Sequence, residues 1–400
     1  MRFLFLTIGY HPDIVGGAWR YAAEIAERLA ARGHAVDVLC QNPERALPET
    51  ETRRGVRLHR FAKASGPFFT KWRRENTEAT AIAKQLLGRT SGAVLVCAHH
   101  SYLAPTLRNC AARKVFMFHG PWAEEFRFAR QARPANLAQR WLNALIGSRL
   151  RATERRALRS VDRIFVVSRH FQERLACWHP GGLPPVQPIS AGTDTNQFQP
   201  AADRSAVRRS YGLNPDDFLF LALRRLDPRM GLVTLLDAFS RLAGDHPRAQ
   251  LWLTGRGPLE ADLLRRIDGA GLNGRVRLLG FVPEPELPGL LSAADCTVMP
   301  SLDLEGFGLA TVESLACGTP VLGSRAGATP ELLLPLSPQL LFEANSVAAL
   351  ADKLKAVLVN PACLPDRTRC RAYVLANYTW DRPVAAFEDC QKQVGLAEVK

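Results

Sequence analysis

Residues 300–331 read PSLDLEGFGLATVESLACGTPVLGSRAGATPE, and the rest of the chain is organised around them. A strand ends at Pro300, a Gly-broken loop carries Glu305, and a helix opening near Gly308 carries Glu313 and stops at Gly318. A second strand, Pro320 to Ser324, runs into another small-residue loop and another helix start near Pro330. Gly306 and Gly308 allow unusual backbone angles and close backbone approach. Gly318 suits a helix C-cap. A helix N-terminus presents free N–H groups and a partial positive charge, which favours phosphate. Carboxylates are poor phosphate ligands and good acceptors for sugar hydroxyls. Glu305 just outside the helix and Glu313 more than one turn inside it therefore point to a nucleotide-sugar. Its diphosphate would sit at the helix end, at Gly308 and Leu309, and its sugar and ribose on the acids. Two glutamates eight apart also occur without function, so the surroundings decide.

At 400 residues the chain is long enough for two domains, and 47% hydrophobic residues fit a folded globular protein. No run approaches the ~20 apolar residues that span a bilayer. The opening MRFLFLTIGYHPD reads as a buried strand rather than a signal peptide. Nine cysteines, scattered and without a C-x-x-C pair or metal spacing, suggest a reducing cytosol and use as small apolar residues. The net charge of +14 is uneven: residues 1–200 hold 30 Lys+Arg and 15 Asp+Glu, and residues 201–400 hold 22 and 23. A basic half attracts anionic lipid or polymer. No nucleic-acid-binding motif accompanies it, so nucleic acid is not expected as a partner.

Taken in order, Arg2 to Gly9 is an apolar strand, Pro12 to Gly17 a loop, Ala18 to Ala31 a helix and Ala35 to Cys40 a strand. This is one unit of a doubly wound sheet. Gly16 and Gly17 stand between strand and helix, where a ligand can approach or a tight turn is needed. Phe61 to Arg74, FAKASGPFFTKWRR, mixes aromatic and basic residues. It reads either as a membrane-contacting segment or, since Gly66-Pro67 breaks it, as a mobile loop with buried aromatics. Strands Ala93 to His99 and Val115 to Phe118 lead into His99-His100 and His119, at the strand edge that faces the ligand crevice in such sheets. Residues 127–163 carry Arg127, Arg130, Arg133, Arg140, Arg149, Arg151, Arg155, Arg156 and Arg159, with Leu142, Leu145, Ile146 and Leu150 suggesting one apolar helical stripe. A solvated face and an anionic-surface role are both open. Phe218 to Leu223 is a strand followed by RRLDPRMGLVTLLDAF.

The Glu-x7-Glu pair inside EGFGL…E…ACGTPV resembles the donor-site motif of the family-four retaining glycosyltransferases, also called glycosyl transferases group 1. The resemblance covers nearly the whole chain, with motifs in the family's order. It implies a GT-B fold: two doubly wound Rossmann-like α/β domains facing across a cleft. These would be an acceptor-side domain over 1–195, a nucleotide-sugar-binding domain over 205–375, and a closing helix over 376–400 that braces the first domain. It also implies roles for Glu305, Arg225 and His119 in catalysis. For donor binding it implies Gly16, Gly17, Arg225, Gly308, Leu309, Glu313 and Glu331. The family places an Arg and a Lys in the 224–231 loop to clamp the diphosphate. Arg225 matches the Arg, but Met230 stands where the Lys is usual, which makes Arg229 the expected substitute and Arg224 a second candidate. Ala328 stands where a second Gly is usual.

The expected activity is transfer of a sugar, with retention, from a nucleoside-diphosphate sugar to a glycan, lipid or small-molecule acceptor. No cofactor and no metal are expected, Asp303-Leu304-Glu305 notwithstanding. The basic first half makes an anionic or lipid-linked acceptor the preferred one, at a cytoplasmic site peripheral to the inner face of a membrane. The competing readings are a non-hydrolysing sugar-nucleotide epimerase of the same fold, a non-catalytic nucleotide-sugar-binding protein and a nucleic-acid-binding protein.

Overall fold

A computed structural model describes residues 1–43, 47–89, 92–131 and 136–397; Arg133 of the arginine-rich stretch lies outside them. Contacts divide the chain into two units, Met1–Ala191 with Trp380–Lys400, and Gly192–Thr379.

Unit 1 holds β1 (Arg2–Leu6), β2 (Ala35–Asn42), β3 (Thr50–Arg53), β4 (Val56–Ala62), β5 (Val94–Ala98), β6 (Arg113–Phe118), β7 (Arg163–Val166) and β8 (Val186–Pro188). They form one sheet in the order β3-β4-β2-β1-β5-β6-β7-β8. Only β3 runs antiparallel to its neighbour. The central strands are unbroken apolar runs, RFLFL and VLVCA, because a parallel sheet covered on both faces has no solvated side. Unit 2 holds β9 (Phe218–Leu223), β10 (Ala249–Thr254), β11 (Val276–Gly280), β12 (Cys296–Met299), β13 (Val321–Ser324) and β14 (Leu341–Phe342), all parallel, in the order β11-β10-β9-β12-β13-β14.

Both orders reverse at one place. From β1 the chain goes to β2 on one side and later to β5 on the other; from β9 it goes to β10 and later to β12. At such a switch point two loops leave the carboxyl ends of adjacent strands in opposite directions and open a crevice. The loops in question are residues 7–16 and 99–100 in unit 1, and residues 224–231 and 300–308 in unit 2.

Local capping fixes where the helices begin. Ser168, Asp203, Ser346 and Asp366 each accept a hydrogen bond from the backbone N–H three residues on. The closing helix Asp381–Ala397 lies in unit 1, where Phe387 stacks on Phe5 at 5.9 Å and Glu388 bonds His34 at 2.8 Å.

Two expectations need correction. The first strand stops at Leu6, not Gly9, because the Thr7 hydroxyl turns back to donate to the Gly9 carbonyl at 2.8 Å. Residues 61–74 are not one continuous loop: only 63–67 lie outside strand and helix. Phe61 is a buried residue of β4, and Pro67 is the N-cap of a long helix, Phe68–Gly88. The Pro that interrupts the pattern in sequence is what starts the helix.

Candidate active site

In unit 2 the loops after β9 and β12 meet. Arg229 N–H lies by Asp227, and the Arg229 carbonyl accepts from Leu302 N–H at 2.8 Å, tying the two loops together. Glu305 is 8% exposed. Its carboxylate accepts from the Ser301 hydroxyl at 2.8 Å and from the guanidinium of Arg224. Burial alone would raise the Glu305 pKa, but Arg224, Ser301 and Arg229 outweigh burial and hold it below the usual carboxylate range. The acid is therefore an ionised acceptor, as a hydroxyl ligand requires.

Gly327 explains how the next loop closes on Glu305. Its φ is +57°, and a Cβ there would fall 2.3 Å from the Glu305 carbonyl oxygen. The same carbonyl accepts from Ala328 N–H at 2.8 Å. Ala328 in place of a second glycine is harmless at φ −84°. Glu331 lies in the first turn of the helix Thr329–Leu333.

The helix Leu309–Ala316 begins at Gly308, whose φ of +90° turns the chain into it. No side chain caps this end and no acid lies in its first turn. The Thr311 hydroxyl is buried there with no hydrogen-bond partner. An uncapped helix N-terminus with an orphaned buried hydroxyl is built for an oxygen-rich anion. Glu313 is buried in the second turn of the same helix.

The cations are arranged differently from the expectation. Arg225 points outward: its side chain is 69% exposed and its nearest acid is Asp227, at 3.8 Å. Arg229 donates to the Leu304 carbonyl at 3.2 Å. The guanidinium that fills the space beside Met230 belongs to Arg224, with Nη2 2.7 Å from the Met230 sulfur and 2.8 Å from the Ser301 hydroxyl. Arg224 is thus the residue that sequence reasoning placed second. Adjacent residues leaving a strand point to opposite sides, and the strand alternation of β9 was the available signal that 224 and 225 differ.

In unit 1, His99 leaves β5 and His119 leaves β6 side by side. His99 Nδ1 lies 3.0 Å from His119 Nε2, and the rings stack at 5.3 Å. Tyr21 packs edge-on against His119 at 5.1 Å. His100 Nδ1 accepts from Tyr102 N–H at 3.0 Å. Burial pushes His119 down to about 3 and His100 to about 4, and pushes His99 well below its ordinary value. All three are neutral imidazoles at physiological pH. His99 is buried, its ring stacked on Phe5 as well as on His119. Gly16 caps the helix Gly17–Ala31, which has no acid in its first turn and no side-chain cap, leaving a second open helix N-terminus.

Among the described residues, no group of three or more His, Cys, Asp or Glu is placed to hold a metal. The nine cysteines are all free, seven of them buried. Among the described residues no helix is long and apolar enough to cross a membrane.

The chain is similar in sequence and fold to known proteins. The family model described as Glycosyltransferase Family 4 matches residues 15–197, and the one described as Glycosyl transferases group 1 matches residues 203–375. A GDP-mannose-dependent monoacylated alpha-(1-6)-phosphatidylinositol monomannoside mannosyltransferase of Corynebacterium glutamicum is 31% identical over 210 residues, which are 50% of this chain and 54% of that protein. The match therefore spans about half that relative's length. A glycogen synthase of Mycobacterium tuberculosis is 26% identical over 403 residues, 96% of this chain and 93% of that protein. Among solved structures, a sucrose-phosphate synthase from Thermosynechococcus elongatus superposes with a TM-score of 0.83 at 22% identity, covering 99% of this chain and 100% of that one.

Proposed function

This chain belongs to the family-four, group 1 glycosyltransferases of GT-B fold, and from that premise we propose that it is a retaining hexosyltransferase using a nucleoside-diphosphate sugar. The observation that supports this most is the ionised, buried Glu305 held by Arg224 beside the uncapped N-terminus of the helix Leu309–Ala316.

The donor diphosphate rests at Gly308 and Leu309, where free N–H groups and the orphaned Thr311 hydroxyl can receive its oxygens. Arg224, Arg225 and Arg229 supply positive charge to it. Glu305 accepts from hydroxyls of the transferred sugar, and Glu313 and Glu331 belong to the same donor site. As the bond from the anomeric carbon to the diphosphate breaks, its electron pair leaves with the diphosphate. The developing charge falls where the helix end and the arginines already point. The acceptor oxygen forms its bond on the same face, and its proton passes to the departing phosphate. We assign His119, neutral at working pH, a catalytic role and the Gly16-Gly17 turn a donor-binding one. No step calls for a metal or cofactor.

For the acceptor we favour an anionic or lipid-linked molecule met at the cytoplasmic face of a membrane. The basic first half supports it, as does the name of the phosphatidylinositol mannoside relative. The end-to-end match to a glycogen synthase favours a second reading, a soluble glucan acceptor.

The test is turnover. The protein is incubated with GDP-mannose, UDP-glucose and ADP-glucose, each with lipid-linked and soluble acceptors, and the product's anomeric configuration is read by NMR. An α-linked product from an α-donor supports the proposal. Inversion contradicts the mechanism, and failure with every donor contradicts the activity.

A further inference from the structure

The first half of the helix Leu137–Leu158 stands out from unit 1 with its apolar side uncovered. Leu137 and Trp141 are 75% and 77% exposed, and Leu142 and Leu145 are 49% and 51% exposed. Positions 137, 141 and 145 follow one another at four-residue spacing, so they share a helix face. The next position on that line is Arg149, whose guanidinium lies 5.1 Å from the ring of Phe69. Phe69 packs edge-on to Phe68 at 5.3 Å, and both open the helix Phe68–Gly88 with their rings partly in solvent. Arg149 thus joins the exposed rings that open the helix Phe68–Gly88 to the helix that carries Trp141 and the exposed leucines.

The charge beside the band is mostly basic, with Arg127 and Arg151 paired to Glu124. Residues 126–153 contain six arginines and no Asp or Glu, and residues 52–74 likewise contain no acid. Arg140 and Arg149 on one helix, and Arg73 and Arg74 on the other, are exposed. A symmetric contact with a second copy of this chain would set this surface against itself, arginine facing arginine. A hydrophilic polyanion would answer the charge and leave Trp141 and the leucines in water. An anionic bilayer answers both: indole and leucine side chains enter the boundary between headgroup and acyl chain while guanidiniums meet lipid phosphate.

We propose that the band of Leu137, Trp141, Leu142, Leu145, Phe68 and Phe69, framed by acid-free arginine-rich sequence, docks this protein on an anionic membrane surface. This rests on the peripheral-membrane part of the function proposed above and assigns it to side chains. The helix bearing Trp141 then lies along the interface, and the protein binds reversibly rather than inserting.

The experiment is vesicle flotation with the full chain, using phosphatidylcholine alone and an equal mixture of phosphatidylcholine and phosphatidylglycerol. Wild type is expected to bind the mixture at least about tenfold more tightly than the neutral lipid, and added salt weakens the binding. The double variant Trp141→Ser/Leu145→Ser loses at least about tenfold, while Leu264→Ser, an exposed leucine of unit 2, binds as wild type. Equal binding by the double variant and wild type overturns the proposal. So does a concentration-dependent dimer that the double variant disperses, which would assign the band to a second copy. Should the double variant misfold, Trp fluorescence is measured on phosphatidylglycerol vesicles with brominated acyl chains. Quenching present in wild type and reduced in Trp141→Phe supports docking; quenching unchanged in Trp141→Phe contradicts it. Nucleoside diphosphate binding is measured alongside. Nucleotide binding without vesicle binding removes the docking surface and leaves the transferase reading intact; the converse removes the transferase reading instead.

Discussion

Arg224 lays its guanidinium against the thioether of Met230, with Nη2 2.7 Å from the sulfur. The same nitrogen serves Ser301 and Glu305. Where the motif has lost a lysine at position 230, a cation from position 224 occupies the neighbouring space, and the methionine packs under it.

Removing that cation takes from the buried Glu305 the guanidinium it is paired with. Breaking a buried charge pair from one side costs about 3–5 kcal/mol. Arg224→Ala is therefore expected to lower the melting temperature and to reduce kcat/KM at least about a hundredfold. Adding Met230→Lys to that variant is expected to recover much of both, because the ammonium returns charge to the same space. A double variant no better than Arg224→Ala contradicts the exchange. Arg229→Ala, whose guanidinium serves the Leu304 carbonyl, is expected to cost less than Arg224→Ala.

Glu305→Ala removes the ionised acceptor, and turnover is expected to fall by about two to three orders of magnitude with a cooperative melt retained. Arg225→Ala, at an exposed position free to swing onto the diphosphate, is expected to raise the donor KM without changing the melt. Near-normal activity in both variants contradicts the site.

Gly327→Ala puts a methyl where the Glu305 carbonyl lies, at a positive φ. Loss of several degrees of melting temperature and at least about tenfold in donor affinity is expected, since the loop must move off Glu305. Calorimetry of the variant checks this, and unchanged affinity shows the loop contact to be irrelevant to the donor.

His99 holds His119 through one shared proton between two neutral rings. If His99 Nδ1–H is the donor, Asn at position 99 can replace it and Phe cannot. His99→Asn is expected to keep kcat within about threefold, while His99→Phe, which retains the ring stack, is expected to lose at least about tenfold in kcat with donor KM unchanged. Equal effects of the two substitutions point to packing alone.

The imidazoles also set an acid limit. Their folded pKa values are lowered, so below about pH 6.5 the unfolded chain takes up protons that the folded chain refuses. Their contribution to stability is full above pH 6.5 and declines as pH falls toward about 4 for His100 and about 3 for His119, by up to ~1.4 kcal/mol per pH unit for each ring. His100→Asn keeps an acceptor for Tyr102 N–H and removes one titrating group. Thermal melts between pH 4.5 and 7.5 are expected to show a shallower decline than wild type; an equal decline contradicts the assignment.

The strands and the turns of residues 300–331 were legible because each left a local mark: unbroken apolar runs for buried parallel strands, and glycines at 308 and 327 where the backbone turns or touches. The helix Phe68–Gly88 was missed because its buried side is Glu75, Asn76, Ala79 and Ala83, which gives almost no apolar period. Arg224 was placed second to Arg225 for a different reason. Adjacent positions leaving a strand carry similar residues here, and only the direction of the side chain decides which one meets Glu305.

The most direct test of the donor site is calorimetric titration of UDP, GDP and ADP, without added metal, into the wild-type protein and Arg224→Ala. The account expects one nucleoside diphosphate to bind the wild type, stabilising it by about 2.7 kcal/mol at a hundred times its Kd, and to bind Arg224→Ala at least about tenfold more weakly. Silence from all three nucleotides, or equal affinity in the two proteins, contradicts it.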